Sequence, residues 1–364
     1  NNVGVVSLDY TGKEGVATAI GHSPIASLID PVAGSRTAIA ESLSNIIWAP
    51  LKDGLKSVSL SANWMWACKN EGEAARLYEA VDACSNFAIE LGINIPTGKD
   101  SLSMKQNYPD AEVISPGTVI ISAAGQCCDV TKVIEPVLRK NGGNIYHINL
   151  SCDKFKLGGS SFLQVLNAVG NEVPTIKDAA SFKNSFNVIQ ELIKAGKITS
   201  GHDIGSGGLI TTLLEMSFPS VNMGAEYDLT ELRESDTVKV LFAENISIVI
   251  QADDSVEVDL AKNNIAFTKI GKPKEGSVIT LKNGDDYFHF DIPEARDTWF
   301  KTSYLLDREQ SGTVKAKERF DNYKNQPLEF KFPTHFEGKN PANIGILSQF
   351  FFERKVLSSQ MQSA

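Results

Sequence analysis

The stretch GHDIGSGGL, residues 201–209, carries the densest set of groups able to do chemistry. His202 and Asp203 stand near its start. Gly205, Ser206, Gly207 and Gly208 then lead into an apolar helical pattern through Leu209, Ile210, Leu213, Leu214 and Met216. A glycine-rich turn feeding a helix leaves backbone N–H groups aimed at one spot, with the positive end of the helix dipole behind them, which suits phosphate or another anion. A carboxylate at its mouth makes sense when a divalent cation accompanies the phosphate, since hard cations prefer carboxylate oxygen. The plainer reading is a tight loop whose glycines only supply positive φ. KLGGSSF, residues 156–162, is a second such turn: Gly158, Gly159 and Ser160 precede the apolar positions Phe162, Val165, Leu166 and Val169.

Two further polar groupings stand out. Glu41 and Asn45 sit four residues apart in a helical pattern whose apolar stripe is Ile39, Leu43, Ile46 and Ile47. At roughly 100° per residue they lie about 200° from Ile39, side by side on the opposite face. They form either a solvated polar face or two oxygen ligands presented to one cation. Gly98-Lys99-Asp100-Ser101 packs a cation, a carboxylate and a hydroxyl into a predicted turn between apolar segments. In SANWMWACKNEGE, residues 61–73, Trp64 and Trp66 read as core or interface rather than as a site.

The elements that must position these groups alternate between strands and helices. Strands are predicted at 3–10, 16–20, 56–60, 118–123, 145–150, 238–242, 246–251, 266–271 and 277–281. Helices are predicted from Asp30-Pro31, which supply a cap and a first-turn proline, and over 73–90, 179–195 and 255–263. Residues 129–143 lose regularity and end in a glycine pair, which sets a domain boundary there. The expected division is 1–137, 144–310 and a linker or tail over 311–364.

At 364 residues and 42% hydrophobic content the chain is long enough for two cores. A formal net charge of −9 without a basic run argues against nucleic acid, so any bound phosphate must be held locally. No apolar run reaches the length of a membrane span and no signal peptide is visible, so no membrane role is expected. Five cysteines at irregular spacing fit neither a disulfide framework nor a metal knuckle and predict a reduced, cytosolic compartment. The chain opens on Asn1 and runs at once into a strand, as a piece of a longer polypeptide would.

SANWMWACKNEGE, TGKDSLSM and GHDIGSGGLITTLLEM, with LIDPVAGSRTAIAESLSNI ahead of them, resemble the phosphoribosylformylglycinamidine synthase family over roughly residues 2–335. The likeness is to the second half of the synthetase region in large, single-chain members. It implies an α/β (α+β) class and a two-domain, aminoimidazole-ribonucleotide-synthetase-like fold, with an amino-terminal barrel-forming α/β domain followed by a carboxyl-terminal α/β domain. The implied reaction converts formylglycinamide ribonucleotide, ATP and glutamine to the amidine, ADP, phosphate and glutamate. Turnover is implied mainly for the first half, while the second half holds ADP or ATP with Mg2+.

By the same resemblance, Glu41, Asn45 and Asp203 match metal ligands. The loops bearing Gly158, Gly159, Ser160, Gly205, Ser206 and Gly207 would cradle phosphates, and Lys99, Asp100 and Ser101 join the nucleotide-binding set. No catalytic residue is assigned. Three positions depart from the pattern: Asn2 stands where a fourth ligand, an aspartate, is expected, and Gly205 and Ser206 replace a serine and an aspartate of HDxSDGG. The implied partners are the first synthetase half and a glutaminase domain, to which nothing after Lys339 is similar. The apolar part of SANWMWACKNEGE is expected to meet the first half, or to drive self-association when that half is absent. Two other readings stay open: a non-catalytic nucleotide-binding scaffold, and a stand-alone relative such as aminoimidazole ribonucleotide synthetase or selenophosphate synthetase.

Overall fold

In the computed structural model of the chain, residues 3–8 and 12–325 are described. Asn2 and the tail beyond 325, including most of the expected linker, lie outside them. The described residues up to Trp299 form one compact unit, and those from Phe300 onward belong to a second.

The first unit is built on two sheets. Strands β1 (Val3–Ser7), β2 (Gly15–His22), β3 (Val58–Met65), β4 (Asn94–Ser101) and β7 (Thr118–Cys127) form the first, in the order β1-β2-β7-β3-β4, while β5 (Lys105–Asn107) and β6 (Glu112–Ile114) make a separate hairpin. The second sheet holds β8 (Asn144–Asn149), β9 (Ile198–Ile204), β10 (Met223–Asp228), β11 (Ser247–Ala252) and β12 (Thr268–Asn283) in the order β10-β12-β8-β11-β9, with β13 (Asp286–Asp291) on β12. The expected boundary at 129–143 falls between the two sheets. We retain 1–137 and 144–310 as proposed domain limits, although both sheets share a core.

Helix α1 (Pro24–Ile29) leads into α2 (Pro31–Ile46), whose cap is the predicted one: Asp30 Oδ1 accepts from Ala33 N at 2.9 Å. Helix α2 is buried nearly all round. Gly21 makes this possible, because a Cβ there would lie 2.3 Å from the carbonyl oxygen of Ala38 on the helix. Helix α3 (Glu73–Leu91) packs beside it.

In the second half, α4 (Ser161–Val165) is a single short turn, and α5 (Ala179–Lys194) is the long amphipathic helix the sequence predicts. Helices α6 (Gly208–Glu215), α7 (Thr237–Phe242), α8 (Val256–Lys262), α9 (Ile292–Ser311) and α10 (Thr313–Asn322) follow. One core runs from the first sheet into the second. Phe87 of α3 meets Phe182 of α5 edge-on at 6.2 Å, and both are fully buried.

Gln190 of α5 rivets the same junction. Its side chain accepts from Leu51 N at 2.7 Å and donates to the carbonyls of Ile47 and Ala49, without any solvent exposure. Gln190→Ala strands those backbone groups. It is expected to cost about 1–3 kcal/mol for each one left unpaired, seen as a lower urea midpoint.

Three local expectations are corrected. Residues 238–242 are helical in α7, because Asp236 caps it by accepting from Lys239 N at 3.2 Å and Thr237, Val240 and Leu241 bury one helical face. Residues 98–101 are the end of β4, paired in parallel with Ala62 to Met65 of β3, and not a turn. Trp66 is fully buried with Gly117 against its ring, so the half-buried Trp64 and Met65 are what remains of the proposed apolar contact surface.

Candidate functional site

A cavity of about 900 Å³ opens between the two sheets, lined by Ile20 and His22 of β2, Glu41 and Asn45 of α2, His202 and Asp203 of β9, the turn residues Gly205 and Ser206, and Thr212 and Glu215 of α6. The helical spacing of Glu41 and Asn45 and the end of a buried strand at Asp203 thus bring the three predicted ligands to one space. The solvated-face reading of Glu41 and Asn45 is overturned, since α2 packs that face over β2 and Asn45 is 4% exposed.

Each of the three oxygens is held in a particular way. Asn45 Nδ2 donates to the carbonyl of Ile20 at 2.8 Å, which leaves Oδ1 buried without a partner. Glu41 Oε2 accepts from His22 N at 2.8 Å. Asp203 Oδ1 accepts from Trp48 Nε1 at 3.4 Å and lies 3.4 Å from His202 Nδ1.

The electrostatics are those of a site short of positive charge. Burial pushes the Glu41 carboxyl up to about 7; the His22 N–H and imidazole oppose this, and the nearby Asp203 and Glu244 carboxylates add to it. Burial would lower His202, but the carboxylates of Asp203 and Glu215 outweigh it and bring its pKa up to about 9. Glu215 Oε2 lies 3.2 Å from His202 Nε2, while its Oε1 accepts from Trp299 Nε1 at 2.8 Å. Among the described residues no lysine or arginine lines the cavity.

The Glu41 shift has a pH consequence. Between pH 4.5 and about 7 the folded chain keeps a proton on Glu41 that the unfolded chain has lost. Stability present at the acid end of that window is therefore lost as pH rises through it. Urea midpoints measured across the window should fall with pH in the metal-free wild type, and fall less in Glu41→Gln.

The other predicted residues are placed as follows. Gly158 and Gly159 meet Gly205 and Ser206 at a second cavity of about 40 Å³, also lined by His22, Glu41 and Glu244. Ser160 caps α4 by accepting from Leu163 N at 3.4 Å. Gly159 and Gly207 do adopt positive φ, +79° and +91°. Two of the loop N–H groups are already engaged: those of Gly207 and Ser161 both donate to Glu244 Oε1, at 2.8 and 2.7 Å. The structure does not bring Lys99, Asp100 and Ser101 to the large cavity. They continue along β4 beyond Pro96 and Thr97, which do line it, and Lys99 Nζ donates to Ser101 Oγ.

Glu244, Glu215 and His22 escape a sequence reading. Glu244 stands alone between two apolar runs, and that break in polarity is its only signal.

Among the described residues no group of three or more His, Cys, Asp or Glu side chains is placed to hold a metal ion. Two carboxylates and one orphaned amide oxygen do fit a magnesium ion that keeps several waters. None of the described helices is long and apolar enough to cross a membrane.

Comparison with known proteins gives consistent matches. Residues 1–126 match the FGAR-AT PurM_N-like domain, and residues 144–282 the C-terminal domain of AIR synthase related proteins. The chain is 36% identical over 336 residues to a probable phosphoribosylformylglycinamidine synthase, chloroplastic/mitochondrial, of Arabidopsis thaliana, covering 90% of the chain and 24% of that protein. It is 34% identical over 320 residues to the human phosphoribosylformylglycinamidine synthase, covering 85% of the chain and 24% of that protein. The chain therefore spans about a quarter of the length of these relatives.

Among solved structures, Thermotoga maritima PurL complexed with FGAR superposes with a TM-score of 0.65 at 14% identity, covering 81% of this chain and 48% of that one. Hydrogenase maturation protein HypE in complex with ATP gives 0.52 at 15% identity, covering 78% and 86%. These likenesses establish the aminoimidazole-ribonucleotide-synthetase-like fold. Matched across both sheets by these domain families, and along 90% of its length by a protein named for one enzyme, the chain belongs to the phosphoribosylformylglycinamidine synthase family.

Proposed function

We propose that the chain is the nucleotide-holding half of a ligase that converts formylglycinamide ribonucleotide, ATP and glutamine to the amidine, ADP, phosphate and glutamate. It binds ADP or ATP with magnesium in the large cavity, without turnover of its own. The observation that carries this reading is the buried Asn45 Oδ1, left without a partner in the same cavity as Glu41 and Asp203. An unpaired buried oxygen is costly, and two nearby carboxylates repel each other unless a cation lies among them. Glu41, Asn45 and Asp203 would hold that ion, which would supply the positive charge that phosphate groups need in this acidic cavity. Gly205 and Ser206 bound the space the phosphates would use. With no lysine or arginine among the described residues that line the cavity, nucleotide binding should require the metal.

The proposed partners are the first synthetase half and a glutaminase domain, in keeping with the quarter-length coverage of the relatives. Self-association of the isolated chain is proposed as well. A cytosolic location accords with five free thiols. Denaturing the purified chain and separating the released small molecules tests the reading: an adenine nucleotide with about one equivalent of magnesium is expected. A chain that carries none, and takes up none at millimolar nucleotide and magnesium, would contradict it.

A further inference from the structure

The small cavity between the glycine loops behaves differently from the large one. Glu244, which lines the small cavity, is already engaged: its carboxylate accepts from Ser161 N at 2.7 Å and from Gly207 N at 2.8 Å through the same oxygen. These two N–H groups belong to the two loops whose composition points to phosphate, and they converge on an anion the chain supplies itself. From this we propose that Glu244 is a built-in counter-anion that closes the junction of the two glycine loops to phosphate groups.

Glu244 is well fixed for that part. Two residues before it, Phe242 stacks on Phe162 of α4 at 4.6 Å between ring centroids, which ties α7 to the first loop. The residue after it, Asn245, is 1% exposed; its Nδ2 donates to Lys154 O at 2.9 Å and to Ser151 Oγ at 3.2 Å. The carboxylate is thus delivered between the loops by anchors on both sides.

The space left over is about 40 Å³, room for water and too little for a phosphate. An entering phosphate would have to displace two charge-assisted hydrogen bonds and then face both Glu244 and Glu41, which lines the same cavity. A phosphate monoester, whether free phosphate or the end of a larger ligand, is excluded at this junction. The large cavity remains open to a nucleotide, so this inference does not depend on the metal site.

The test is amide NMR of the full chain, with inorganic phosphate as the probe. In the wild type the Ser161 and Gly207 amide signals should not respond to millimolar phosphate. In Glu244→Ala both should shift saturably, with phosphate affinity raised about tenfold or more. Glu244→Gln, which keeps a neutral acceptor in the same shape, should gain less than alanine. Saturable shifts in the wild type would overturn the proposal even if the alanine variant failed to fold. So would a folded alanine variant whose two amides ignore phosphate. Magnesium-dependent nucleotide binding, measured on the same wild-type sample, reports separately on the large cavity.

Discussion

Asp203→Ala is expected to weaken magnesium-dependent nucleotide binding by about 100-fold or more, at or beyond the upper end of what losing even an outer-shell metal partner costs. Asp203 is the one proposed ligand from the second sheet; Glu41 and Asn45 both come from α2. Without it, two oxygens from one helix would have to hold the ion alone. The change also removes the acceptor of Trp48 Nε1 and a carboxylate beside His202, so some loss of stability accompanies it. Asp203→Asn separates the two effects. It keeps an acceptor for Trp48, so its melting temperature should stay near that of the wild type, while magnesium dependence is lost with the charge. Calorimetric titration and thermal melts of both variants distinguish a ligand from a merely structural aspartate.

The second large effect concerns the shared core. Phe182→Ala should destabilise the chain by about 3–5 kcal/mol, the cost of removing a buried aromatic ring. Phe182 has no exposed surface and packs across the junction of the two halves against Phe87. A single cooperative urea transition at a much lower midpoint is the expected result. Two separated transitions would mean that the halves unfold independently and that the common core contributes little.

Much of the frame was legible in the sequence because local signals were strong. Asp30-Pro31 set the start of α2, and the regular apolar stripe of α5 carried its whole length. The convergence of Glu41, Asn45 and Asp203 became legible only through family resemblance. Spacing gives the side-by-side pair but cannot say that α2 is buried against β2 or that β9 ends opposite it.

What stayed hidden was long-range. Glu244 bonds to groups 83 and 37 residues away, and no local pattern encodes that pairing. The run 238–242 reads as a strand by its apolar content, and only the cap at Asp236 and the burial of Val240 and Leu241 turn it into a helix. For Lys99, Asp100 and Ser101, the residue types suggested a polar turn, while the parallel pairing of β4 with β3 carries them away from the cavity.

The central claim is a magnesium-dependent nucleotide site that does not turn over. Its most direct test is calorimetric titration of the nucleotide-stripped chain with ADP and with ATP, each with magnesium and with a chelator, followed by assay of phosphate release. The structure leads us to expect saturable binding with magnesium, binding weakened about 100-fold or more without it, and no steady release of phosphate. Equal affinity with and without magnesium would remove the metal from the site, and steady ATP hydrolysis would make this half a catalytic one.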